Sequence, residues 1–206
     1  MAPLGPQRVP SGFVKHTADR RTAVFKLGLD GDEQADLRVH GGPEKAVYAY
    51  PLDHYRPWKS DFPEHSGKLV PGAFGENLTV EGLTERDICI GDVHRIGTAV
   101  LQVCQPRQPC FKLALHFDDN RLVAAMVRSG RSGWYYRVLS EGELGAGDEV
   151  ELIDRPQPSF PFTRLIEFVN FGRGNSVELL ALSRMEEATS RLRQKAAEKL
   201  AAEPRA

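Results

Sequence analysis

The chain has 206 residues, of which 41% are hydrophobic and 27% are charged, an ordinary composition for one globular domain or for one domain plus a small appendage. The 27 Lys and Arg residues balance 28 Asp and Glu residues, so the net charge favours neither nucleic acid nor an anionic membrane. Three cysteines, with no signal peptide and no long apolar run, predict a reduced, cytoplasmic setting without a disulfide framework.

The N-terminal part predicts short strands separated by turns. Residues 1–10 are rich in proline and glycine and predict a flexible arm, and residues 11–15 and 22–25 predict the first strands. His40 and Lys45 flank a Gly-Gly-Pro loop whose backbone amides can approach a ligand. The alternative for this loop is a plain turn.

The next part continues the pattern of strands. Residues 46–50 alternate small and aromatic side chains and predict a strand, and residues 52–58 predict a short helix. Glu76 and Asn77 follow two glycines at the start of another strand, where site residues are common, although an ordinary turn is equally compatible. Gly-Asp turns between short, evenly spaced strands predict a barrel.

Residues 102–112 end an alternating strand in two prolines and a cysteine, Cys110. Arg107 and Lys112 flank this thiol and favour its thiolate form, although a lone cysteine can also be a buried structural residue. Cys104 is close enough in sequence to form a disulfide with an oxidised Cys110. Cys89 lies between two isoleucines and is expected to be a buried core thiol. The expected order of alkylation is Cys110, then Cys104, then Cys89.

The C-terminal part predicts helices. A proline-rich linker over residues 156–162 precedes a three-helix domain over residues 163–206. Asn175 with Glu178, and Ser183 with Glu186, have the spacing of capping boxes. The tail is too short to bury its own core, so we expect it to dock on the barrel or on another subunit through apolar side chains, namely Leu182, Met185, Leu192 and Leu200.

Several motifs are missing from the sequence. It contains no phosphate-binding loop, no dinucleotide-binding glycine motif, no zincin motif and no CxxC pair. The sequence therefore gives no support to nucleotide hydrolysis, dinucleotide binding or a zinc ribbon.

Seven short segments, in order, resemble a known family, the MOSC domain of the YiiM type. MOSC domains are named after the C-terminal domain of molybdenum cofactor sulfurases, and the resemblance spans roughly residues 10–155. The segments that carry it are residues 11–15, 28–36, 40–48, 72–79, 91–92, 106–113 and 133–135.

This resemblance implies a mainly β fold, with a MOSC-type β-barrel and a few helices over residues 11–155, followed by the small helical domain. It also implies binding of the molybdenum cofactor and reduction of N-hydroxylated substrates such as 6-hydroxylaminopurine, a detoxifying reaction, with electrons from a separate flavoprotein. Relatives fused to a pyridoxal-phosphate domain handle cofactor sulfuration instead, and no pyridoxal phosphate is expected on this chain.

The resemblance also suggests residue roles. Cys110 would be the catalytic thiol and the molybdenum ligand, with Lys15, Lys45 and Arg107 holding the phosphate of the cofactor. His40, Glu76 and Asn77 would fix the pterin or relay protons. Two alternatives stay open, namely a sulfur carrier with a persulfide on Cys110 and a non-catalytic cofactor-binding module. The oligomeric state, a homodimer included, also stays open.

Overall fold

The computed structural model describes residues 2–5, 8–18, 20–32 and 41–202. The strands in these segments are β1 (Ala2–Leu4), β2 (Val9–Ser11), β3 (Thr22–Phe25), β4 (Gly28–Leu29), β5 (Val47–Pro51), β6 (Leu78–Val80), β7 (Val93–Ile96), β8 (Ala99–Pro106), β9 (Trp134–Ser140), β10 (Gly142–Leu144) and β11 (Val150–Asp154). The α-helices are α1 (Tyr55–Asp61), α2 (Phe111–Phe117), α3 (Arg121–Ser129), α4 (Phe162–Phe171), α5 (Ser176–Arg184) and α6 (Ser190–Ala202). Short 3₁₀ turns cover Pro43–Lys45, Leu52–His54 and Pro63–His65.

The strands form one large sheet and two small ones. The large sheet has six strands in the order β11-β7-β8-β9-β5-β6 and curls into half a barrel, and only its β5–β6 pair is parallel. β10, β3 and β4 form a second antiparallel sheet, and β1 pairs with β2. Strands dominate the chain up to Asp154 and helices follow, which confirms the mainly β fold with a helical C-terminus.

Strand β8 shows how the alternating sequence positions the later site. Ala99, Leu101 and Val103 are fully buried on one side, as the period of two predicts. A register shift against β9 between Val103 and Gln105 then places Cys104 in the interior as well. Pro106 is the last paired residue, so the chain leaves the sheet there and reaches Cys110 just before α2.

The C-terminal helices share the hydrophobic core of the large sheet. Leu182, Met185 and Leu192 are buried in one cluster with strand residues such as Leu101, and Leu200 packs against that cluster. The tail therefore docks on the sheet of its own chain, through the side chains that the sequence singles out.

The structure differs from two predictions for the C-terminal part, namely the linker over residues 156–162 and the capping box at Ser183. Residues 156–162 do not form an open linker, because Pro161 bridges to Cys89 and the amide of Phe162 donates to the carbonyl of Ile88 at 3.0 Å. The capping box at Asn175 and Glu178 is confirmed. The one predicted at Ser183 is wrong, because Ser183 lies inside α5.

The N-terminal arm also differs from expectation. The sequence predicts a flexible segment over residues 1–10, whereas β1 and β2 pair there as an antiparallel ribbon. Leu4 is buried in a second core cluster, which includes Phe13 and Trp58. Two-stranded edges tolerate proline, so the composition does not prevent pairing.

None of the helices in the described segments combines the length and the apolar character needed to cross a bilayer.

Candidate functional site

A cavity of about 760 Å³ opens between the sheet and the C-terminal helices. Its walls come from several parts of the chain, among them the segment after β2, the 3₁₀ turn at Pro43–Lys45, the loop before β6, the segment from Gln105 to Lys112, and the start of α6. The volume is in the usual range for a pocket that binds a small ligand. Five of the predicted site residues line it: Lys15, Lys45, Asn77, Arg107 and Cys110.

Cys110 lines this cavity, and two buried cations, Arg107 and Lys112, flank it in the sequence. Arg107 is 5% exposed and Lys112 is 8% exposed. The guanidinium of Arg107 stacks over the rings of Phe13 and Tyr48, at 5.6 and 5.2 Å from their centroids. In the described part of the chain, no carboxylate forms an ion pair with Arg107 or Lys112. Because a buried cation without a counter-ion is costly, this arrangement favours an anionic ligand or a thiolate at Cys110.

Lys45 lines the same cavity from the 3₁₀ turn. Burial lowers the pKa of its ammonium, and the nearby positive charge of Arg191 lowers this pKa further. Lys45 is therefore a better proton donor at neutral pH than an exposed lysine.

Lys15 and Asn77 are joined through Asp32, which follows β4. Lys15 forms an ion pair with Asp32, and the Asn77 side-chain amide donates to the other carboxylate oxygen at 2.7 Å. The Asn77 side-chain oxygen accepts from the Tyr48 amide at 2.9 Å. Asn77 thus holds Asp32 and Lys15 at the cavity wall. An aspartate in a Gly-rich turn carries no sequence signal of such a partner.

Glu76, the sixth predicted site residue, does not line the cavity. It is 2% exposed, and its carboxylate accepts hydrogen bonds from the backbone amides of Gly72 and Phe74 at 2.8 and 3.1 Å. The hydroxyls of Tyr55 and Thr79 donate to it as well. Glu76 is not among the residues that line the cavity, and its carboxylate is taken up by these four donors, so the geometry gives it a structural role in place of the pterin contact that we expected.

His40, the seventh, lies outside the described residues. Its neighbours Gly41, Gly42 and Pro43 line the cavity. The proposed role of His40 therefore stays a prediction.

The sequence does not indicate that two tyrosines and three residues near the C-terminus also line the cavity. Tyr48 and Tyr135 line the cavity with their rings 5.1 Å apart, although alternation alone favours core packing for both. Thr189, Arg191 and Lys195 reach it from the end of the chain. Only docking of the tail brings these residues to the site.

The other two cysteines, Cys89 and Cys104, are buried, whereas Cys110 is partly exposed. Cys104 is fully buried, its thiol donates to the backbone carbonyls of Glu44 and Tyr135, and burial raises its pKa to about 12. Such a thiol is a poor nucleophile, which argues against a resolving role. Cys89 is 6% exposed, and burial raises its pKa as well.

We expect Cys110 to alkylate first with iodoacetamide, because it is the most accessible of the three thiols and has Arg107 and Lys45 nearby. Cys104 should react last rather than second, because it is fully buried. Mass spectrometry of tryptic peptides over a time course of labelling measures the order. Labelling of Cys104 before Cys110 would contradict this view of the site.

Comparison with known proteins shows similarity to one family, both in sequence and in structure. A family model described as "MOSC domain" matches residues 36–151. The chain is 44% identical to Protein YiiM of Escherichia coli strain K12 over 150 residues, which are 73% of this chain and 67% of YiiM. It is 36% identical to a protein named "Reductase" from Gibberella moniliformis over 174 residues, which are 84% of this chain but 31% of that protein. The crystal structure of E. coli YiiM superposes with a TM-score of 0.81 at 29% identity, covering 98% of this chain and 91% of that one.

Proposed function

Because the chain belongs to the MOSC domain family, we propose that it is a molybdenum-cofactor-dependent reductase of N-hydroxylated compounds. One observation carries the proposal. The thiol of Cys110 lines a cavity together with two cations, Arg107 and Lys112, that are more than nine-tenths buried and have no carboxylate partner in the described residues. The name of the fungal relative, a reductase, agrees with the reaction class.

The residues present fit this cofactor. Molybdenum is a soft metal that thiolates bind well, so Cys110 would be its protein ligand. The phosphate of the pterin would be held by the buried cations Arg107 and Lys112, with Lys15 and Lys45 adding positive charge. Tyr135 lines the cavity and offers a flat apolar ring on which a pterin can pack.

Reduction of an N-hydroxyl group consumes two electrons and two protons and releases one water molecule. The cofactor, when bound, supplies the two electrons that cleave the N–O bond. The side chains of this protein must then provide the protons. Lys45 suits this task, since burial and Arg191 lower its pKa.

Tyr48 does not suit it, although it also lines the cavity. Its hydroxyl donates to the carbonyl of Ser132 at 2.8 Å, and burial raises its pKa well above the usual value. The Tyr48 ring instead supports Arg107 from one side, while the Tyr48 backbone fixes Asn77. The electrons themselves come from outside the chain, and we propose a flavoprotein as their donor.

Lys112→Met is expected to lower the molybdenum and pterin content of purified protein about tenfold, because it removes one charge-assisted contact worth roughly 1.5 kcal/mol. The free energy of unfolding should stay the same or rise, since methionine fills the space without a buried charge. Metal analysis and pterin fluorescence on protein from a molybdenum-replete host give the content, and urea denaturation gives the stability.

Lys59→Met on the exposed face of α1 is the matched control and should keep its cofactor. Wild-type protein without molybdenum or pterin would refute the proposed function. Unchanged content in the Lys112→Met variant would refute the role of this cation.

A further inference from the structure

The cavity has an inner and an outer group of cations. Arg107 and Lys112 are buried beside Cys110, whereas Arg191 and Lys195 are exposed and come from the first two turns of α6. Both outer residues lie beyond the segment that matches the MOSC family model, which ends at residue 151. The outer group is therefore a contribution of the helical tail to the cavity.

The outer cations are not neutralised by the acidic residues that line the cavity. Glu44 is engaged by the backbone amide of Ser190 at 3.2 Å and by Arg137 at 3.6 Å. Asp32 pairs with Lys15. No carboxylate of the described chain forms an ion pair with Arg191 or Lys195, and the Lys195 ammonium donates only to the carbonyl of Val169, at 3.3 Å.

Lys45 adds a further positive charge next to this group. The positive charge of Arg191 repels its ammonium, and the nearby Glu44 carboxylate offsets part of this repulsion. An anion bound between them would remove this repulsion and gain a fork of donors from the arginine. The rim is thus arranged to receive a negative group.

The inner cations already match the single phosphate of the pterin, so the outer ones are in excess of what the cofactor needs. We propose that Arg191 and Lys195 form an anion subsite that binds a phosphate group on the substrate, so that an N-hydroxylated nucleotide binds more tightly than the corresponding free base. This inference rests on the proposed function, since the ligand is the compound to be reduced.

The test is a binding measurement that requires no turnover. Adenosine 5′-monophosphate and adenosine serve as probes in isothermal titration calorimetry with the full chain. We expect the nucleotide to bind about tenfold more tightly than the nucleoside in the wild-type protein, and the difference to shrink at higher salt. Arg191→Gln and Lys195→Gln should each weaken nucleotide binding about threefold and leave adenosine binding unchanged.

Lys199→Gln is the matched control, because Lys199 lies on the same helix but does not line the cavity, and it should bind both probes like the wild type. Equal or undetectable binding of the two probes to the wild-type protein would overturn the subsite.

Molybdenum and pterin content is measured on the same samples. A loss of either in the Arg191→Gln or Lys195→Gln variant would assign these cations to the cofactor and also overturn the inference. Wild-type protein without cofactor would instead refute the reductase proposal and leave the probe-binding result to be judged by itself.

Discussion

Cys110→Ser is expected to abolish reduction of N-hydroxylated bases, by at least about a hundredfold, while the protein stays folded. A hydroxyl of similar size fills the site but is a poor ligand for a soft metal. Cys110 is partly exposed at the cavity wall, so the exchange places no polar group in an apolar core. The assay follows conversion of 6-hydroxylaminopurine to the amine with a chemical or flavoprotein reductant, and circular dichroism checks the fold.

Cys89→Ser is the control for this variant. Cys89 is buried between Ile88 and Ile90, where a hydroxyl should cost roughly 1–2 kcal/mol of stability with activity retained in the folded fraction. Full activity in a folded Cys110→Ser protein would rule out both a molybdenum ligand and a persulfide at this position. Loss of activity with unchanged molybdenum content, together with cyanide-labile sulfur on wild-type Cys110, would favour the sulfur carrier instead.

Glu76→Ala is expected to lower the free energy of unfolding by roughly 3 kcal/mol. The change removes the acceptor for the backbone amides of Gly72 and Phe74 and for the buried hydroxyl of Tyr55, and leaves these donors without partners. Urea denaturation monitored by tryptophan fluorescence measures the loss, since Trp58 packs 5.4 Å from Phe74 in the same cluster.

The same change should reach the cavity indirectly. Gly75, in the loop that Glu76 holds, has a φ of +77°, and an added Cβ would lie 3.1–3.2 Å from atoms of Phe13. Phe13 in turn lies under the guanidinium of Arg107.

Thr79→Val is the control for this variant, because it removes only one exposed donor to Glu76 and should cost less than about 1 kcal/mol. A loss as small as this in the Glu76→Ala variant would show that the loop does not depend on the carboxylate.

The local parts of this fold were predictable from the sequence. The alternation of Ala99, Leu101 and Val103 predicts β8 and its buried face, and Asn175 with Glu178 predicts the start of α5. Both patterns depend on neighbours in sequence, which act within one element. The recognised segments likewise pointed to Lys45, Arg107 and Cys110 as neighbours in space, and one cavity brings them together.

The sequence does not predict contacts between side chains that only tertiary packing brings together. Glu76 resembles a site residue because it follows two glycines, yet the same glycines turn the backbone amides of residues 72 and 74 toward its carboxylate. Asp32 reaches Asn77 across 45 positions of the chain, and Arg191 reaches Lys45 across a still longer separation. No periodicity encodes such contacts, because they depend on how separate elements dock.

The packed segment at Phe160–Phe162 joins the MOSC domain to the C-terminal helices. The MOSC family model stops at residue 151, but the chain continues from there along residues 88–90 and then covers the large sheet with α4, α5 and α6. A cut after residue 151 would expose apolar side chains of the large sheet that α4, α5 and α6 cover, and would remove the α6 residues from the cavity wall. The large sheet and the C-terminal helices share one hydrophobic core, so substitutions in the tail should be read as changes to the site itself.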